Sequence, residues 1–257
     1  MTANSMTEPP HSDDIFSHPI AAGSCSRVYA IDENRVIKRR PETSDEYRNQ
    51  VYNIEIFAYK RLGTNPRIAT LIEVNNEGLI LERGECLRQK LQSSASEEIK
   101  LDSKLQWAQE AAEGLVYIHR RDIIHADVGC HNVLLMPSGH IKYIDFAGSS
   151  IDGNPALVCY EWCSYQPELA LAPCVKTDIF AFGTMLFEIE SGNVPYRDLV
   201  MVSAIDGMQR VGYLFSIGQY PNVASLVLGD VILRCWDGEY DSMEEVLDDI
   251  TCCIKSV

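Results

Sequence analysis

His125-Ala126-Asp127-Val128-Gly129-Cys130-His131-Asn132 runs directly into the apolar stretch Val133-Leu134-Leu135, and Ile141-Lys142-Tyr143-Ile144 runs directly into Asp145-Phe146-Ala147. The turn sequence Pro137-Ser138-Gly139 lies between the two stretches, which therefore read as the strands of a tight hairpin. Hairpin strands are antiparallel, so the residues just before the first and just after the second lie at the same end. The spacing thus predicts that Asp127, Asn132 and Asp145 converge. Two carboxylates and an amide suit a hard cation such as magnesium, which takes a few such oxygens and leaves positions for phosphate. A metal-nucleotide is the ligand that these residue types indicate.

Outward from the hairpin the periodicity changes. From about Ile15 to Lys38, short runs rich in Val, Ile and Tyr read as strands, punctuated at Gly23 and at Asp32-Glu33-Asn34. Ser44 to Leu62 carries Val51, Ile54, Phe57, Ala58 and Leu62 at helical spacing, with Gly63 as a stop. Strands around Ala69 to Val74 and Leu79 to Leu81 flank the turn Asn75-Asn76-Glu77-Gly78. After Gly84 the pattern is mostly helical: Leu101 to Arg120, Thr177 to Glu190 and Met243 to Ile254. The expectation is an α+β fold of two lobes. A small antiparallel-sheet lobe with one main helix spans about 15–83, a larger mostly helical lobe spans about 84–257, and residues 1–14 form a flexible polar segment. Clefts at such junctions are common ligand sites.

Composition narrows the function classes. The 257 residues leave room for one enzyme and little else. Asp and Glu outnumber Lys and Arg by 37 to 22, a formal charge of −15, which argues against a broad nucleic-acid-binding face. The nine cysteines include no C-x-x-C pair, so buried free thiols in a reducing compartment are the economical reading. The first residues lack the apolar core of a secretory signal, and stretches such as Ile179 to Ile189 are too short to span a membrane. A cytoplasmic or nuclear location with no membrane partner is expected.

The ordered motifs resemble those of the eukaryotic protein kinase superfamily, whose catalytic loop reads H-R-D-x-x-x-x-N and whose metal motif reads D-F-G. Short kinase-domain proteins of fungi with a Gly-Cys-His-Asn loop are the nearest pattern. Val36-Ile37-Lys38 is similar to the family's strand lysine, and Glu55 to its helix glutamate. Tyr165-Gln166-Pro167-Glu168 resembles the A-P-E closing the activation segment, Asp178 to Gly183 the D-x-W-x-x-G of the central helix, and Cys235-Trp236 a late C-W. The resemblance implies ATP and Mg2+ as cofactors. Lys38, held by Glu55, would grip the α and β phosphates. Asp145 and Asn132 would bind metal, and Asp127 would orient the acceptor hydroxyl and take its proton. Gly23 and Val28 would cover the nucleotide. Backbone groups near Glu82, Arg83 and Gly84 would hold the adenine, with Leu81 at the rear of the pocket. The implied activity is transfer of the ATP γ-phosphate to a hydroxyl of a protein substrate, serine or threonine by base rate. A pseudokinase that binds nucleotide or acts as a scaffold is the alternative, and a small-molecule kinase of related fold a third reading.

Departures from the family pattern bear on activity. The glycine loop is reduced to Ala21-Ala22-Gly23-Ser24-Cys25-Ser26, and Ala126 replaces the arginine that clamps a phosphorylated activation segment. Gly129 replaces the lysine of serine/threonine kinases, and Ala147 replaces the glycine of D-F-G, where a Cβ would cost about 1 kcal/mol at positive φ. Met243 falls where an arginine partner of Glu168 would lie, so the far end of the segment is expected to be held less firmly. His125 is expected to be a packed structural histidine, and His131 to approach the phosphates or face solvent.

Overall fold

The computed structural model describes residues 16–23, 26–41, 44–93, 98–165, 172–202 and 204–256. Three strands open it: β1 (Ala21–Ala22), β2 (Arg27–Ala30) and β3 (Arg35–Arg39). After helix α1 (Glu46–Leu62) come β4 (Leu71–Val74) and β5 (Gly78–Glu82). The five strands form one antiparallel sheet in the order β1-β2-β3-β5-β4.

The Asp45 carboxylate caps α1 by accepting from the Tyr47 and Arg48 amides at 3.0 and 3.4 Å. Glu46 in the first turn, and Lys60 and Arg61 in the last, complement the helix dipole, and Gly63 at φ 59° ends the helix. Its buried face is Val51, Tyr52, Glu55, Ala58, Tyr59 and Leu62. This corrects the expected apolar track: Phe57 is 50% exposed, with the Arg61 guanidinium 5.0 Å over its ring. At 3.6 residues per turn, the face that carries Glu55 inward at 51, 52, 55, 58, 59 and 62 turns position 57 outward.

The second lobe comprises β6 (Glu85–Cys86), α2 (Leu87–Gln92), α3 (Leu101–His119), β7 (Ile123–Ile124), β8 (Val133–Leu135), β9 (Ile141–Tyr143), β10 (Ser150–Ile151), α4 (Val175–Ser191), α5 (Arg197–Val202), α6 (Ala204–Ser216), α7 (Gly229–Trp236) and α8 (Met243–Lys255). The hairpin is β8-β9, with Val133 opposite Tyr143 and Leu135 opposite Ile141. β6 adds a third strand beside β8, and β7 pairs with β10. α4 is buried on most sides, and α7 packs closely against it at Gly183, where a Cβ would lie 2.7 Å from Cys235 Cβ. Among the described residues no helix is long and apolar enough to cross a membrane.

Candidate active site

β3 places Lys38 between Val28 and Leu79 of the neighbouring strands, inside the lobe junction. The buried face of α1 delivers Glu55 to it. Lys38 Nζ lies 2.8 Å from each Glu55 oxygen and 2.6 Å from Asp145 Oδ1. Burial favours the neutral amine, but Asp145 and Glu55 outweigh it and hold the Lys38 ammonium above its ordinary range. Burial pushes the Glu55 carboxyl up to about 7 against the pull of Lys38. The Asp145 side chain is 41% exposed; burial around it works against the charge, and Lys38 overrides this and lowers its pKa.

The catalytic loop hangs from α4. Asp178, fully buried, accepts from the His125 amide at 2.9 Å, the Ala126 amide at 3.0 Å and the Tyr160 hydroxyl at 2.7 Å, and meets His119 Nε2 at 2.9 Å. These bonds hold Ala126 at φ 65°, a left-handed conformation that costs a non-glycine residue about 1–2 kcal/mol. Asp145 is held at φ 60°, whereas Ala147 is not among the residues at positive φ. The strain expected at Ala147 therefore falls two residues earlier, and its Cβ carries no such penalty. Phe146 packs edge-on against Tyr59 and leans on His125, each with centroids 5.1 Å apart. His125 is fully buried, its Nε2 3.1 Å from the Ile144 carbonyl, as a structural histidine should be.

The hairpin brings its two flanks to one end, with the Ile144 amide donating to the Asn132 carbonyl at 3.0 Å. Asn132 Nδ2 donates to Asp127 Oδ2 at 2.9 Å and to its carbonyl at 2.8 Å, which orients the amide and leaves Oδ1 as a donor for a cation. Asp127, Asn132 and Asp145 line a cavity of about 460 Å³ together with Lys38 and Glu55. Gly23, Val28, Leu81, Glu82, Arg83 and Gly84 line it as well. Oxygen donors on Asn132 and Asp145 beside an ammonium fit a magnesium-bound polyphosphate, and apolar walls from Val28, Val36, Leu81 and Leu134 fit a flat base.

At the hinge the Glu82 amide donates to Thr70 O at 3.0 Å and the Arg83 amide to Asn34 O at 2.9 Å. Those two donors are thus taken by the sheet and its turn. Gly84 lies against the β8 floor, where a Cβ would stand 2.9 Å from Leu134 Cβ. Ser24, Cys25 and the stretch Gln166 to Glu168 fall outside the described residues, so the expectation about Glu168 does too. Met243 is fully buried, and Arg234 is engaged by Glu239 and Asp249.

Sequence reading missed a charged cluster beside Asp127. His131 lines the cavity, and its ring sits between two carboxylates: Nε2 lies 3.3 Å from Asp127 Oδ1 and Nδ1 3.2 Å from Glu161 Oε2, at ion-pair rather than hydrogen-bond geometry. Burial lowers its pKa, but the two carboxylates raise it to about 9. Burial also raises Glu161, and His131 and Arg88 bring it down to about 2. The i, i+4 spacing of Asp127 and His131 was a visible signal. Glu161 and Arg88 lie 73 residues apart and gave none.

The sequence model described as protein tyrosine and serine/threonine kinase matches residues 32–246. The chain belongs to this protein kinase family. It is 26% identical over 78% of its length to a putative tyrosine-protein kinase of Caenorhabditis elegans, and 22% identical over 93% to a probable serine/threonine-protein kinase of Clostridium acetobutylicum. It is also 23% identical over 93% to a serine/threonine/tyrosine-protein kinase of Arabidopsis thaliana. The chain spans 26%, 36% and 67% of those relatives' own lengths.

Proposed function

We propose that this kinase-family chain transfers the ATP γ-phosphate to a serine or threonine hydroxyl of a protein. The observation that carries the reading is the convergence of Lys38, Glu55, Asp127, Asn132 and Asp145 on one cavity between the lobes. Phosphoryl transfer needs charge neutralisation, alignment and a weak base near the attacking hydroxyl, and each has a residue here. Lys38, fixed by Glu55, holds phosphate oxygens. Asn132 and Asp145 would hold magnesium, which would supply charge neutralisation for the phosphates. Asp127 accepts a hydrogen bond from the acceptor hydroxyl, orients it and takes its proton. The relatives carry serine/threonine, tyrosine and mixed names, so the acceptor preference rests on base rate.

A second reading, a nucleotide-binding scaffold with little transfer, is favoured by the closed Lys38–Asp145 contact and the reduced glycine loop. Thermal shift with ATP and magnesium separates an empty pocket from an occupied one. Phosphate transfer onto a peptide library, wild type against Asp127→Asn, separates enzyme from scaffold: equal, residual incorporation by both overturns the enzyme reading. Serine, threonine and tyrosine peptides in that library decide the acceptor.

A further inference from the structure

The cluster beside Asp127 ties the activation segment to the helical lobe at Glu161. Arg88 on α2 uses two forks of its guanidinium. Nε and Nη2 donate to the Glu188 oxygens at 2.6 and 2.9 Å; Nη1 and Nη2 donate to the Glu161 oxygens at 2.7 and 2.7 Å. Glu188 is fully buried on α4, so this end of the bridge is fixed to the lobe's central helix. Bidentate arginine–carboxylate pairs are directional and strong, and removing one partner leaves a charge without compensation. The neighbouring segment residue, Tyr160, bonds Asp178 on the same helix. Two consecutive residues thus secure the segment to α4 through different partners, and Glu161 also flanks His131, which flanks Asp127.

We propose that Arg88 and Glu161 are positioning residues that dock the activation segment beside Asp127 without phosphorylation, the Glu161 carboxylate supplying the anion that holds it. A phosphate added to a loop works by giving arginine an anion to hold; here the anion is encoded and the arginine already spans it. The charges around the bridge, Asp127, Glu161 and Glu188 against Arg88 and His131, leave no unpaired cation in the cluster to recruit an added phosphate. The effect on turnover rests on the kinase reading of Asp127; the docking itself does not.

The test compares full-length wild type, Glu161→Gln and Glu161→Asp. Glu161→Gln leaves the buried Arg88–Glu188 pair intact and removes only the charge on the segment. Hydrogen exchange across residues 158–165 should rise about tenfold or more in Glu161→Gln while α4 is unchanged, since local opening costs are set by local contacts. Phosphate transfer should lose about tenfold or more in kcat with the ATP KM within about twofold, as expected of misplacement rather than lost binding, and Glu161→Asp should recover most of it. Phosphatase treatment of the wild type should leave its kcat unchanged. Equal exchange in wild type and Glu161→Gln overturns the docking, and loss of activity on phosphatase treatment overturns its independence from phosphate. A wild type that transfers no phosphate defeats the kinase reading alone, and the exchange comparison still decides the docking.

Discussion

Asp127 and Asp145 are carboxylates of one cavity given different tasks by their neighbours. Asp127 presents Oδ2 to the Asn132 amide and Oδ1 to His131, 3.3 Å away, which fixes where both oxygens point. On the proposed reading, replacing it with Asn keeps the shape and removes the base, so kcat should fall by about 10²–10⁴-fold with ATP binding retained, read by single-turnover transfer and thermal shift. Asp145 presents one oxygen to Lys38 and has a partly exposed side chain, which on the proposed reading leaves an oxygen for a metal. Asp145→Asn should weaken magnesium-dependent nucleotide affinity by about 100-fold, since even groups that only orient a metal ligand contribute about 10–100-fold. Calorimetry with and without magnesium checks it; an unchanged affinity removes Asp145 from the metal site.

At the scale of elements, α1, the β8-β9 hairpin and α4 were legible because each carries its own period or turn over enough residues. The convergence of Asp127, Asn132 and Asp145 followed from antiparallel pairing alone. β6, β7 and β10 were not legible: two-residue strands have no period, and tertiary pairing creates them. The engaged hinge amides were hidden for a similar reason, as their acceptors Thr70, just before β4, and Asn34, in the bend before β3, are distant in sequence. Ala126 adopts positive φ although alanine does not announce it, because buried Asp178 holds its amide, whereas aspartate, as at Asp145, is among the non-glycine types that tolerate that region. Gly183 tests the packing of α4 on α7. Gly183→Ala adds a Cβ 2.7 Å from Cys235 Cβ, and overpacking of this kind should destabilise by about 1–3 kcal/mol in a urea titration.

For the molecule as a whole, acid is the informative perturbation, given its excess of carboxylates. Glu161 is depressed to about 2 from an ordinary 4.5, so its stabilising contribution is fully present above about 4.5 and is lost as pH falls towards 2. The melting-temperature gap between wild type and Glu161→Gln should therefore be widest above pH 4.5 and close between there and pH 2. A gap independent of pH would mean that the substitution acts through packing and not charge.

Tyr160 and Glu161 are consecutive in the segment and both end on α4, through Asp178 directly and through Arg88 to Glu188. Mechanically they form a rivet with two heads in one plate. A force drawing the segment away stretches both at once, so neither head slips before the other shares the strain. Detachment should then be abrupt, with a single rupture event in a pulling trace rather than a gradual peel from residue 158 onward.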